Sequence, residues 1–479
     1  MHYFQLLTYL IVVGFLGTYL ITNLQWYNYK IKRVVLNHHK SEWHLIYFIT
    51  PFALFYLLDF LYFAIYFYLL FVPTFYFWYK KLDKQVVLTS RVKRFFAILT
   101  AASLVILALC EASQTCQKAG IILPLMISHL ISLTLEKIFF LSFKEKAKRH
   151  LASFANLQIV AITASYGKTS IKNYLHQVLQ TKFRTYKTPR SVNTIGGILK
   201  DVNDDLPLDT EIYIAEAGAR EKGDIEEITL FLNPQIAVIG SVGRQHIEYF
   251  KTLDNIIYTK MEILKSHRLT RGFVHESVPI LDYPNIVKFP KNLNITMSNL
   301  DGIWFDFEIN DKIEHFHAPL LGAFNATNLC AVILVALELG LSLEEIKVAL
   351  HNLQPVDHRL KLIKANGKII LDDSFNGNLE GMLEAVKLCE TYIGGKKIIV
   401  TPGIVESTEE ENIIFAKAVD AVFDQVIITG ALNQKVLSQN ISSEKVMTLS
   451  NKKELESVLA KESKSGDLIL FANDAPNFI

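Results

Sequence analysis

Chemistry is most concentrated in TASYGKTS, residues 163 to 170, where a glycine, a lysine and two hydroxyl residues follow one another. The preceding LQIVAITAS (157 to 165) has the apolar continuity of a buried strand, and IKNYLHQVLQ (171 to 180) has the periodicity of an amphipathic helix. The polar residues therefore fall in a strand-to-helix turn. Such a turn aims backbone N–H groups and a helix N-terminus at an anion, while Lys168 supplies a point charge and Thr169 or Ser170 a hydroxyl for magnesium. A nucleoside triphosphate is the ligand that suits it. Ile162 stands where the general G-x-x-x-x-G-K-[ST] pattern has its first glycine, so this is a variant of that loop.

A second candidate is Glu216, at the end of the strand-like EIYIAEAG (211 to 218). Magnesium prefers carboxylate, hydroxyl, phosphate and water oxygens, so a strand-end glutamate beside such a loop is chemically suitable. Taken singly, Glu216 reads first as an exposed strand-end carboxylate, His246 as a structural or exposed histidine and Arg359 as a surface arginine.

Together these segments resemble a known family. TASYGKTS is similar to the T-G-T-N-G-K-T-[ST] loop of the Mur ligases and folylpolyglutamate synthases, which also omit the first glycine. GAREKGDIEEI after Glu216 resembles the E-x-G-A-x-x-x-G-[DE]-I segment of the Mur branch that adds D-alanyl-D-alanine. QIAVIGSVGRQHIEYF (235 to 250) resembles a strand followed by N-x-x-x-x-H-x-E-x-F, and TLDNIIYTKMEIL (252 to 264) resembles S-x-x-x-I-A-x-x-K-x-E-I. KIILDDSFNGNLEGMLEAV (368 to 386) is similar to D-D-[ST]-Y-N-A-N-P-x-S-M-x-x-A-[LV] of the same branch, and the D-N-P-R segment of the branch that adds the third amino acid is missing.

The resemblance implies roles residue by residue. Ser165, Gly167, Lys168, Thr169, Ser170, Asn328, Arg359, Asp372 and Asp373 would bind ATP, with Arg359 of PVDHRL (355 to 360) on the terminal phosphate. Arginine suits that task because its fixed fork orients phosphate oxygens. Thr169, Glu216, His246 and Lys260 would form the magnesium site, Lys260 as a carbamate, and Lys168, Lys260 and His246 would be catalytic. Asn193 and Thr194 of KTPRSVNTIGGIL (187 to 199), with Asn376, would contact substrate; Asn325 and Asn328 lie in the G-x-H-N-x-x-N-type entry to the last domain.

The implied reaction is ATP-dependent addition of D-alanyl-D-alanine to UDP-N-acetylmuramoyl-tripeptide through an acyl phosphate, with ATP and Mg2+ required. Two other readings stay open: a related ligase acting on a lipid-linked or folate-like acceptor, and a non-catalytic membrane scaffold built on a ligase.

These residues must be positioned by two kinds of architecture. From about residue 151, strand-like runs alternate with helical ones, including KKIIVTPG, QVIITG, VMTLS and DLILFA after 395, which is the pattern of α/β domains. The expected organisation is an α-helical membrane region (1–150) followed by two α/β domains: a central P-loop-type mononucleotide-binding domain (151–322) and a C-terminal Rossmann-like domain (323–479). In the front part, apolar runs at 4 to 22, 46 to 79, 95 to 110 and 120 to 142 are separated by basic clusters. The clusters are Lys30, Lys32, Arg33 and Lys40; Lys80, Lys81, Lys84, Arg91, Lys93 and Arg94; and Lys144, Lys146, Lys148 and Arg149. Basic residues concentrate on the cytoplasmic side, so the second run must form a hairpin near Asp59. Five spans are expected, with four as the alternative, giving a multi-pass protein of the cytoplasmic membrane in contact with lipid, its catalytic domains in the cytoplasm.

The formal net charge of +2 averages a basic apolar front and a mixed-charge back, and gives no argument for a nucleic-acid partner. Cysteines at 110, 116, 330 and 389 imply neither a zinc site nor a disulfide framework. Nothing in the sequence points to an oligomeric state.

Overall fold

The computed structural model describes residues 2–27, 29–36, 40–82, 85–113, 118–243, 247–279, 285–375, 377–405, 407–449 and 454–473. The chain divides into two compact units, Met1–Glu145 and Lys146–Ile479.

Among the described residues, four helices that begin in the first unit are long and apolar enough to cross a membrane: His2–Trp26, Phe60–Lys80, Ser90–Ala112 and Ile122–Ala152. The run from 46 to 79 breaks at Leu58 and Asp59, where the backbone turns extended with ψ of 149° and 153°. Its first arm is helical from 42 to 57 and rises about 24 Å, short of a hydrocarbon core of about 30 Å. The carbonyls at the end of that arm are held by Lys118, whose Nζ donates to Phe55 O at 2.8 Å and to Leu58 O at 2.7 Å. Cys110 is disulfide-bonded, which the cysteine spacing did not foretell, whereas Cys330 and Cys389 are free and buried.

Among the described residues the second unit holds two six-stranded sheets and a three-stranded one. Strands β1 (Gln158–Thr163), β2 (Thr185–Lys187), β3 (Ile212–Glu216), β4 (Ile236–Ile239), β5 (Arg271–His275) and β6 (Ile286–Phe289) are all parallel, in the order β2-β3-β1-β4-β5-β6. The chain leaves β1 toward one edge and returns past it to β4 on the other side. In such sheets the crevice beyond the strand C-termini at this reversal is where ligands bind. The register pairs Ile162 with Glu216 and Thr163 with Ile239, so three strand ends meet at one place.

β7 (Asn294–Asn299), β8 (Gly302–Ile309) and β9 (Lys312–Ala318) form an antiparallel meander. In β8, Ile303, Phe305, Phe307 and Ile309 are buried and alternate with half-buried Trp304, Asp306 and Glu308, and the β8–β9 turn uses Asn310 and Asp311 at φ of 50° and 61°. That is the tight-turn conformation that Asn and Asp tolerate. The helices Phe324–Glu338 and Leu343–His351 share one apolar core with the first sheet and this meander.

The last sheet runs β10-β11-β15-β12-β13-β14, from β10 (Lys361–Ala365), β11 (Lys368–Asp373), β12 (Lys397–Thr401), β13 (Gln425–Thr429), β14 (Val446–Leu449) and β15 (Leu468–Ala472). Only β10 is antiparallel to its neighbour. Ile399, Leu468 and Leu470 pack on one face while Ile398, Ile469 and Phe471 pack on the other. Burial on both faces explains the near-continuous apolar runs of these strands.

Candidate functional site

β1 ends in Thr163, and the turn 164 to 167 delivers Lys168 as the first residue of the helix Lys168–Leu179. Gly167 makes the turn possible: its φ is +83°, and a Cβ there would come within 2.3 Å of Asn328 Oδ1. The loop is tied to the end of β4, with Ser165 N donating to Ser241 O at 2.8 Å and Ser165 Oγ to Gly243 O at 3.0 Å. Lys168 curls back over it, its Nζ donating to Ala164 O at 2.7 Å and Ser165 O at 2.9 Å. Burial pushes this ammonium down to about 8; Glu216 opposes the shift and Arg359 adds to it.

Glu216, the last residue of β3, is buried and gathers three side-chain donors. Thr169 Oγ1 reaches its Oε2 at 3.0 Å, Lys172 Nζ the same oxygen at 3.2 Å, and Asn193 Nδ2 its Oε1 at 3.2 Å. Thr169 and Glu216, both expected at a metal, are thus in direct contact, and a hydroxyl beside a carboxylate is a hard-oxygen pair that fits magnesium. Among the described residues no group of three His, Cys, Asp or Glu side chains is placed to hold a metal ion.

Lys260, in the helix Leu253–Met261, is buried and held well below the ordinary lysine range, first by burial, then by repulsion from Lys168, against the attraction of Glu216 and Glu262. Its neutral amine is the form that can react with carbon dioxide. Glu262 is engaged elsewhere, accepting from Gly223 N at 2.8 Å and Glu226 N at 3.1 Å at the start of the helix Asp224–Leu232.

From the far side come Arg359 and β11. Arg359 donates from Nη1 to Phe375 O at 2.9 Å, and burial lowers its pKa against the charges of Asp373 and Glu216. Asp373 accepts from Leu360 N at 3.2 Å; burial pushes its carboxyl up to about 7 although Arg359 opposes this. Asp372 is bonded to His358 Nδ1 at 2.8 Å and to Ser374. Asn328 donates to Asn325 Oδ1 at 3.2 Å, and Asn325 to Leu321 O at 2.8 Å, which fixes the amide that faces Gly167.

The structure therefore brings Ser165, Gly167, Lys168, Thr169, Glu216, Lys260, Asn328 and Arg359 to one region. Ser170 is buried in the first helical turn. Asn193 was assigned to substrate and is found on the Glu216 carboxylate. Thr194 is exposed and caps the helix Ile195–Asp204, accepting from Gly197 N at 3.3 Å. His246 and Asn376 lie outside the described residues. Lys172 escaped sequence reasoning altogether; its only signal was a lysine one helical turn after Lys168, which reads as an ordinary solvated position.

A family model described as the Mur ligase middle domain matches residues 162–336. The UDP-N-acetylmuramoyl-tripeptide--D-alanyl-D-alanine ligase of Bacillus subtilis is 27% identical over 350 residues, covering 69% of this chain and 76% of that protein. The Borreliella burgdorferi protein of the same name is 30% identical over 315 residues, covering 60% and 66%. Among solved structures, MurF ligase from Thermotoga maritima in complex with ADP superposes with a TM-score of 0.60 at 24% identity, covering 70% of this chain and 80% of that one. A MurF from Acinetobacter baumannii gives 0.60 at 22% identity, covering 70% and 77%. At these identities the two structures speak for the fold.

Proposed function

The chain belongs to the Mur ligase family as an ATP-dependent carbon–nitrogen ligase of peptidoglycan precursor synthesis, and from that premise we propose that it joins D-alanyl-D-alanine to a UDP-N-acetylmuramoyl-tripeptide. The observation that carries this reading is the meeting of Lys168, Thr169, Lys260 and Arg359 around the carboxylate of Glu216, the last residue of β3, beside the turn that follows β1.

ATP would lie over the 164 to 170 turn, its phosphates against the backbone N–H groups of the first helical turn. Thr169 and Glu216, with His246 and a carbamylated Lys260, would hold magnesium, which when bound neutralises phosphate charge. Lys168 would exchange its two loop carbonyls for phosphate oxygens, a move that restores its full charge. Arg359 would orient the terminal phosphate, with Asp373 and Phe375 fixing its approach. Attack by the tripeptide carboxylate on that phosphate would break its bond to the bridging oxygen, releasing ADP and giving an acyl phosphate; the dipeptide amine would then displace inorganic phosphate and lose a proton to form the amide. Positioning and charge stabilisation carry most of such a reaction. Asn376 and the Asn193–Thr194 segment are the substrate contacts in this scheme.

We also assign the enzyme to the cytoplasmic membrane, as a multi-pass protein with its catalytic domains in the cytoplasm. The four long apolar helices and the basic clusters between spans support this. They equally favour a second acceptor, a lipid-linked form of the muramoyl peptide. The test is mass spectrometry of products made by the full chain from ATP, D-alanyl-D-alanine and either acceptor. A dipeptide-extended UDP-linked product supports the first reading, extension of the lipid-linked acceptor alone supports the second, and extension of neither overturns both.

A further inference from the structure

The first unit carries a group of basic side chains that ligation leaves unused. Gln25 in the helix His2–Trp26 grips Val87, its Oε1 accepting from Val87 N at 2.8 Å and its Nε2 donating to Val87 O at 3.1 Å. This anchors the segment before the helix Ser90–Ala112, which Thr89 caps by accepting from Val92 N at 3.3 Å. The first turns then present Arg91 and Arg94. The Arg91 guanidinium lies 3.5 Å from the Tyr29 ring centroid; that of Arg94 lies 4.9 Å from the Phe139 ring and is bonded to Glu136. Glu136 and His129 sit two turns apart on the helix Ile122–Ala152, and Arg91 is within electrostatic range of both.

Three nitrogens of this group, Arg91 Nε, Arg94 Nε and His129 Nε2, are buried and have no hydrogen-bond partner among the described residues. Leaving a buried donor unmade is costly, more so on a charged group. Glu136 brings one negative charge against two guanidinium groups. What completes such a set is an anion with several acceptor oxygens, and the N-terminus of Ser90–Ala112 adds its own free N–H groups and dipole. Between membrane helices on the side where basic residues gather, the phosphate at hand is that of a lipid headgroup.

We propose that Arg91, Arg94 and His129 form a binding site for the phosphate of an anionic membrane lipid. The proposal rests on reading the front of the chain as membrane-embedded, and two measurements keep the two apart. Alkaline carbonate extraction of membranes tests the membrane reading: release of the chain overturns it. For the site, the full chain in detergent is offered phosphatidylglycerol or phosphatidylcholine, with or without inorganic phosphate, and retained lipid is counted by native mass spectrometry.

Phosphatidylglycerol is expected to be retained in preference, and Arg91→Gln with Arg94→Gln to cut its retention about twenty-fivefold, or about fivefold for each arginine. Lys93→Gln, an exposed lysine of the same turn, is expected to leave retention unchanged. Binding of a fluorescent ADP analogue checks that each preparation is folded. If the glutamine pair fails that check, Arg91→Lys with Arg94→Lys takes its place, with the same direction of loss because the buried Nε–H is gone. Equal retention by the arginine variants, an equal loss in Lys93→Gln, or displacement of the lipid by inorganic phosphate would each overturn the assignment.

Discussion

At Glu216, Thr169, Lys172 and Asn193 all donate to one buried carboxylate, and Lys172 is as deeply buried as its partner. Removing one member of a buried ion pair strands the other, so Lys172→Met should cost about 3 to 5 kcal/mol. Thermal unfolding of the full chain would register it, and Glu216→Leu added to Lys172→Met should recover part of the loss. Lys168→Ala should lower turnover by about a hundred- to a thousandfold, measured as phosphate release, by removing charge stabilisation from the transferred group. For Asp373 the sign follows from a carboxyl raised to about 7 in the fold against about 3.9 unfolded. Between those values the folded chain holds a proton that the unfolded chain has lost, so stability falls as pH rises through this window. Asp373→Asn should therefore raise the melting temperature at pH 8 and leave it unchanged near pH 4. Most of these residues were legible because phosphate and magnesium chemistry needs particular side chains at a strand-to-helix turn. Lys172 was not, since its burial depends on Glu216 arriving from β3.

Among the elements, the β1 turn depends on Gly167. An alanine there would meet both a left-handed backbone cost of about 1 to 2 kcal/mol and the Asn328 amide, so Gly167→Ala should weaken binding of a fluorescent ADP analogue by about tenfold or more. The strands of the last sheet stood out in the sequence as apolar runs because both faces of that sheet are covered. The β7–β9 meander was passed over, although the alternation from Ile303 to Ile309 and the Asn310-Asp311 turn are signals of a hairpin. A run such as GIWFDFEI is told from a helical segment only by strict period-two counting. The break near Asp59 was legible from that charge, but the shortness of the arm before it was not, because the residues on both sides of Asp59 are equally apolar.

For the whole molecule, two ends of the first unit can be told apart. One gathers His2 on Glu111 at 3.1 Å, Tyr9 on Gly120 O at 3.0 Å and Lys118 on Leu58; the other gathers Gln25 with Val87 and Tyr29 with Arg91. The second end lies with two of the basic clusters, so it faces the cytoplasm in our assignment, and the disulfide-bonded Cys110 belongs to the first, where an oxidising exterior suits it. A cleavable tag inserted after Ser113 should be cut by protease reaching the outer face of the membrane, whereas cutting only from the cytoplasmic side would reverse the orientation. The central claim, an amide ligase built around the β1 turn, is tested most directly by phosphate release from ATP by the purified full chain with magnesium. The account predicts release that requires D-alanyl-D-alanine and the muramoyl-tripeptide acceptor together; release at the same rate with neither present would contradict it.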